Sequence, residues 1–168
     1  VRGPRRGYVR DLLRAKVMLD EWSDQSDKPI VGIHQVKYAI YGHESDWRAA
    51  ATPRRGYEFN HPLIAIFQTT HPGDFPPSHS FIEVSPENVI LTVVKKAEDT
   101  DETILRLHEA SNIAAEAKIY FDKAPKAVTE TDLVEWGRYV EEKAVPIEGN
   151  SITVQMAPSE IKTLKVRL

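Results

Sequence analysis

The sequence has no cysteine, which excludes disulfides, thiolate nucleophiles and cysteine-ligated zinc. It also has no apolar run of membrane-crossing length, no apolar leader and no Asn-x-Ser/Thr acceptor. A soluble chain is expected from these absences, with no membrane partner and with the cytoplasm as the favoured compartment. The chain starts at Val1 rather than Met, which suggests cropping or processing. Glycine is scarce, and its eight residues are scattered, so there is no glycine-rich phosphate cradle and no Gly-x-Ser-x-Gly nucleophile elbow. A surplus of one charge is missing too. The 22 basic and 25 acidic residues nearly cancel, which argues against a nucleic-acid binder. The local exception is "VRGPRRGYVRDLLRAK", where Arg2, Arg5, Arg6, Arg10, Arg14 and Lys16 face only Asp11. This stretch reads as a mobile end or an isolated strand rather than a phosphate-seeking arm.

At 168 residues and 41% hydrophobic content, one core is expected, hence a single domain over 1–168 with residues 1–29 irregular or an edge segment. The polar stretch 21–28 reads as a connection. Period-two alternation marks strands at 28–43, 81–84, 89–96, 103–110 and in "AAEAKIYF", "NSITVQMAP" and "EIKTLKVRL"; "HPLIAIFQTT" (61–70) reads as a strand entered through Pro62. The segment "ESDWRAAATP" (44–53) reads as a single short helix or helical turn that begins near Ser45 and stops at Pro53, and "HPGDFPPSHS" (71–80) as a loop. A second helix is possible over 129–144, with Leu133, Trp136 and Val140 on one face and Gly137 against it. Short strands about ten residues apart indicate a mainly all-β fold, an antiparallel β-sandwich with one or two short helices.

Several clusters could carry chemistry. Glu98, Asp99, Asp101 and Glu102, followed by His108 and Glu109, could bind a hard cation, but "EDTDETILRLHE" lacks the glycine of a calcium loop. A solvated hairpin turn is the expected reading, with Arg106 pairing Glu109 or Glu98 across strands. The histidines (34, 43, 61, 71, 79 and 108) show no H-E-x-x-H spacing, although His71 with His79, or His43 with His61, could meet in space. A small site of the chain's own around His71, Asp74 and His79 is therefore a possibility. The aromatics Tyr38, Tyr41, Trp47, Tyr57 and Phe59 are expected in the core, with a sugar-stacking platform as the alternative.

Five stretches, "HQVKYAIYGHESDWRAA", "EFNHPL", "LTVVKKAEDTDETILRLHEAS", "TETDLVEW" and "APSEIKTLKVRL", resemble in order the C-terminal β region of the family 38 glycoside hydrolases, the α-mannosidases. The resemblance runs from about residue 30 to the end. It falls on His34, Tyr38, Ala39, His43, Asp46, Trp47, Asn60, Pro62, Leu63, 95–99, 105–107, Glu109, Asp132, Leu133, Glu135, Pro158 and 160–164. Departures are Val36 for an aromatic, Gly42 for Pro, Ser45 for Gly, Val134 for Leu and Ser159 for Phe.

The family's aspartate nucleophile, its second acid and its zinc ligands lie in an N-terminal α/β domain and helical bundle, and no motif of theirs matches here. The resemblance thus implies a non-catalytic accessory domain with no catalytic residue, metal ligand or cofactor of its own, zinc belonging to the full-length enzyme. The implied partners are the catalytic α/β domain and helical bundle, mannose-containing glycans, and a further subunit if the enzyme is an oligomer. A stand-alone carbohydrate-binding module is the alternative, with Tyr41, His43, Trp47 and Asn60 as its substrate-binding residues.

Overall fold

A computed structural model describes residues 35–139 and 141–168. The chain divides into the units Val1–Ala39 and Ile40–Leu168, and the described helix and strands all lie in the second. The basic arm, the 21–28 connection, the first half of the 28–43 strand with His34, and Val140 lie outside the described residues.

The described elements are one helix, α1 (Thr52–Asn60), and nine strands. The strands are β1 (Ile82–Ser85), β2 (Val89–Lys96), β3 (Thr103–Glu109), β4 (Ala115–Phe121), β5 (Ala127–Thr131), β6 (Lys143–Ala144), β7 (Ile147–Glu148), β8 (Ser151–Met156) and β9 (Ile161–Arg167). They form two antiparallel sheets, of order β1-β4-β8-β7 and β2-β3-β9-β5-β6. Alternation decides which residues face inward. Leu105 lies opposite Leu164 across β3 and β9, while the next pair, Arg106 and Thr163, points to the other face. The core joins Val89, Leu105, Leu107, Val128, Leu164 and Val166 of one sheet to Ala117, Ile119, Phe121, Ile152, Val154 and Met156 of the other. Each large aliphatic side chain buried in this way stabilises the fold by about 1.5–3 kcal/mol. This is the expected β-sandwich with a short helix.

The helix does not end at Pro53 but begins beside it. Asp46 Oδ1 accepts the N–H groups of Arg48 and Ala49 at 2.9 Å each and Ala50 N donates to Asp46 O at 3.0 Å, so the stretch forms a helical turn, one of its two expected forms. Pro53 then sits in the first turn of α1, where its missing N–H has no intrahelical role.

A second departure concerns the alternating segments on either side of α1. Residues 35–43 and 61–70 carry no strand, and Ile40, Leu63, Ile64, Ile66 and Phe67 are 75–100% exposed. Alternation marks a face but supplies no neighbouring strand, and none pairs with these segments among the described residues. The helix considered over 129–144 is likewise absent. That stretch forms β5, a loop and β6, with Glu135 (φ 68°) and Gly137 (φ 63°) in left-handed conformations that no helix admits.

α1 itself protects the sheet. β2 is the edge of the five-stranded sheet, and its outward carbonyls have no strand partner. Arg54 Nη2 donates to Val89 O at 3.2 Å and Tyr57 Oη to Thr92 O at 2.6 Å, so helix side chains satisfy the edge in place of a strand. Thr92 sits where the β2–β3 register shifts between Leu91 and Val93, a bulge that further blunts the edge.

Candidate functional sites

Tyr41 and His43 lie before the Asp46 turn with ring centroids 5.5 Å apart. Tyr41 Oη donates to Ala50 O at 3.4 Å, which ties its ring to the turn that carries Trp47. His43 Nδ1 lies 2.6 Å from Ser45 O. The Arg48 guanidinium covers Trp47 at 4.1 Å from the ring centroid, while Arg48 Nε donates to Ser111 O at 2.7 Å. The two N–H donors hold the Asp46 carboxyl below its ordinary value. Asn60 is at the far end of α1, about 12 Å of helix away, and its amide donates to Gly56 O at 2.9 Å. Tyr41, His43 and Trp47 thus share one neighbourhood from which Asn60 is separate. The nearby recess lined by Arg48, Pro53, Arg54, Asn88 and Ile90 has a volume of about 70 Å³, well below the several hundred Å³ of small-molecule pockets. Tyr57 and Phe59, expected in the core with the other aromatics, instead belong to α1, and Tyr38 and Phe59 are exposed.

The histidine pairs are engaged separately. His71 Nδ1 contacts Pro72 O at 2.9 Å, and His61 stacks on Tyr57 at 4.1 Å. His79 pairs through Nε2 with Asp122 Oδ1 at 3.2 Å, not with Asp74, and its ring packs between Phe75 and Phe81 at 4.7 and 4.9 Å.

The acidic cluster is the open turn between β2 and β3, closed by Ala97 N to Glu102 O at 2.9 Å. Lys95 pairs with Glu98 at 3.1 Å and Lys96 with the fully exposed Asp101 at 2.7 Å. Among the described residues no three His, Asp or Glu side chains converge on a point where a metal could sit.

Glu109 behaves differently. It continues the inward face of Leu105 and Leu107 and is 0% exposed. Its carboxylate accepts from Asn88 Nδ2 (2.9 Å), Ser111 N (2.8 Å), Ile113 N (3.1 Å) and Ser159 N (2.8 Å). Burial would push the carboxyl up, but these four donors outweigh it and hold it below the ordinary value. Glu109 ties the 110–113 turn and the 157–160 turn to the end of β3. The expected pairing with Arg106 is not made. Arg106, on the opposite face, donates to Leu133 O at 2.9 Å and approaches Glu135 at 3.8 Å. Glu109 shares a strand face with Leu105 and Leu107 by period-two alternation, but its role as a hub depends on backbone donors that only the fold brings together.

Asp132 organises the loop after β5. Its carboxylate accepts from Trp136 N (3.0 Å), Arg138 N (2.8 Å) and Tyr139 N (3.0 Å), and these donors, Tyr139 foremost, keep it below its ordinary value. Glu135 pairs with Lys95 at 2.9 Å, while Glu142 pairs with Lys165 at 2.8 Å and accepts from Thr131 at 3.2 Å. Loop and β6 flank are thereby fastened to β2, β3, β5 and β9.

Comparison with known proteins places this architecture. Residues 88–164, from the Asn88 turn to Leu164 in β9, match the model of the glycosyl hydrolases family 38 C-terminal beta sandwich domain. This segment is similar to the family 38 C-terminal β-sandwich domain. Over 163 residues, 92% of this chain, the sequence is 26% identical to alpha-mannosidase G of Dictyostelium discoideum. The chain spans 14% of that relative's length. Among the described residues no helix is long and apolar enough to cross a membrane.

Proposed function

We propose that this chain is a non-catalytic accessory part of a family 38 α-mannosidase, seated on the catalytic domain and supporting its sugar cleft or subunit contacts. The observation that carries this reading is the apolar stretch 61–67. Leu63, Ile64, Ile66 and Phe67 are 75–100% exposed in a segment patterned to be buried as a strand. A contiguous apolar surface of this kind marks an interface, and a relative about seven times as long offers the polypeptide to cover it. Zinc and the catalytic carboxylates belong, in this reading, to that other part of the enzyme, and the cysteine-free composition goes with a cytoplasmic location. The test is to delete residues 61–168 from the α-mannosidase polypeptide that carries them. Loss of soluble, stable enzyme supports the reading; an unaltered melting temperature and unaltered aryl α-mannoside hydrolysis contradict it.

A second reading, sugar binding by the chain itself, has in its favour the exposed Tyr41–His43 ring pair beside Trp47. It requires titratable binding of mannose oligosaccharides that Trp47→Ala abolishes, and binding that survives this change contradicts it.

A further inference from the structure

A further exposed apolar surface is the loop between β5 and β6. Leu133, Val134, Trp136 and Tyr139 are 45–71% exposed there within seven residues. The backbone of this loop is held by several ties. Asp132 takes the N–H groups of Trp136, Arg138 and Tyr139, fixing the positions from which both aromatic side chains project. Arg106 Nη2 holds Leu133 O, and Lys95 holds the buried Glu135. Two left-handed residues, Glu135 and Gly137, set the path, and a Cβ at Gly137 would lie 2.9 Å from Glu142 Cγ. Buried carboxylates, strained backbone and cross-sheet ties thus combine to present four apolar side chains outward.

We propose that this loop is a docking knob for the catalytic part of the same α-mannosidase, an inference that rests on the function proposed above and names one of its contact surfaces. The chemistry favours an apolar protein partner over a sugar. Asp132 and Glu135, the carboxylates that could bind sugar hydroxyls beside an aromatic ring, are both engaged, Asp132 by N–H groups of the loop and Glu135 by Lys95 of β2. The Arg138 guanidinium lies over Tyr139 at 5.8 Å from its centroid, on the ring itself. Two aliphatic side chains, Leu133 and Val134, accompany the aromatics. The partner is taken as the rest of the polypeptide rather than a second copy, because this chain spans only 14% of the alpha-mannosidase it is similar to, which leaves most of such a polypeptide to cover the loop.

The test compares Trp136→Asp and Tyr139→Asp in the α-mannosidase polypeptide that carries this domain with the same changes in the 168-residue chain alone. Where a change lowers the melting temperature of the chain alone, Leu133→Gln replaces it. The expected result is a chain that melts unchanged and a longer enzyme whose single unfolding transition splits in two or moves down by several degrees. An unchanged transition in the longer enzyme overturns the proposal. So does a dimer of the 168-residue chain, seen by sedimentation, that Trp136→Asp dissociates, or mannose-oligosaccharide binding that Trp136→Asp abolishes. A longer polypeptide with no α-mannosidase turnover defeats the functional reading as well; turnover with indifferent loop variants defeats the docking knob alone.

Discussion

Asn88 Nδ2 donates to Glu109 Oε1 at 2.9 Å, joining the residue before β2 to the last residue of β3. The two strands are antiparallel neighbours, and Val89 lies opposite Glu109 in their register. The same carboxylate gathers the N–H groups of Ser111, Ile113 and Ser159, so three chain segments converge on one buried charge. An anion with four donors and, among the described residues, no paired cation has a structural role, since hydrogen bonding already satisfies its charge.

Replacing Glu109 should therefore destabilise the sandwich strongly. Glu109→Gln keeps the shape but loses charge-assisted bonds, at a cost of about 2 kcal/mol. Glu109→Ala leaves buried N–H donors without a partner and costs about 4 kcal/mol. Urea unfolding of the two variants measures both, and a loss under about 0.5 kcal/mol for Glu109→Ala would contradict the hub.

The acid limb of stability follows from the same group. Its carboxyl is held below the ordinary glutamate value of 4.5, so its contribution is fully present above that value and is lost as pH falls through the lower folded value. Glu142, held down foremost by Lys165, acts in the same sense. At the other end, burial would lower the Lys162 ammonium, but Glu130 and Glu160 outweigh it and raise the group above 10.5. Its contribution is present below that value and lost as pH rises through the higher folded one. Thermal melts between pH 2 and 7 should show Glu109→Gln converging on the unaltered protein in stability as pH falls below 4.5. A difference that stays constant to pH 2 would contradict this assignment.

The cover on the β2 edge gives a separate expectation. Tyr57→Phe removes the hydrogen bond to Thr92 O, and Arg54→Ala removes those to Glu87 O and Val89 O. Each should cost about 1 kcal/mol. The double variant should also aggregate more readily than either single one, because the strand edge is then open. Denaturant unfolding and light scattering check the two effects, and a double variant as soluble and stable as the unaltered chain would mean that α1 does not guard the edge.

How far the fold is legible in the sequence depends on where each strand finds its partner. β2, β3, β4, β8 and β9 are marked by alternation, and each pairs within the described residues, so pattern and structure agree. The segments around Ile40 and Ile64 carry the same pattern but have no partner strand among the described residues, and alternation alone cannot tell the two situations apart. Pro53 misleads because it suits the first turn of a helix as well as the position after its last. The 129–144 stretch misleads because helical spacing of Leu133 and Trp136 takes no account of Asp132, whose carboxylate captures three N–H groups that a helix would need. Of the candidate sugar site, Tyr41, His43 and Trp47 are close in sequence and share a turn, whereas Asn60 lies at the other end of α1 and makes its bond there.

The accessory role is tested head-on by hydrolysis of an aryl α-mannoside by the purified 168-residue chain, with its fold confirmed by a cooperative thermal transition, with and without added zinc or cobalt. An accessory domain gives no turnover above background under either condition, while the longer polypeptide proposed to carry it should hydrolyse the same substrate. Metal-dependent turnover by the 168 residues alone would contradict that role, for the catalytic carboxylates and metal ligands would then have to lie within this chain.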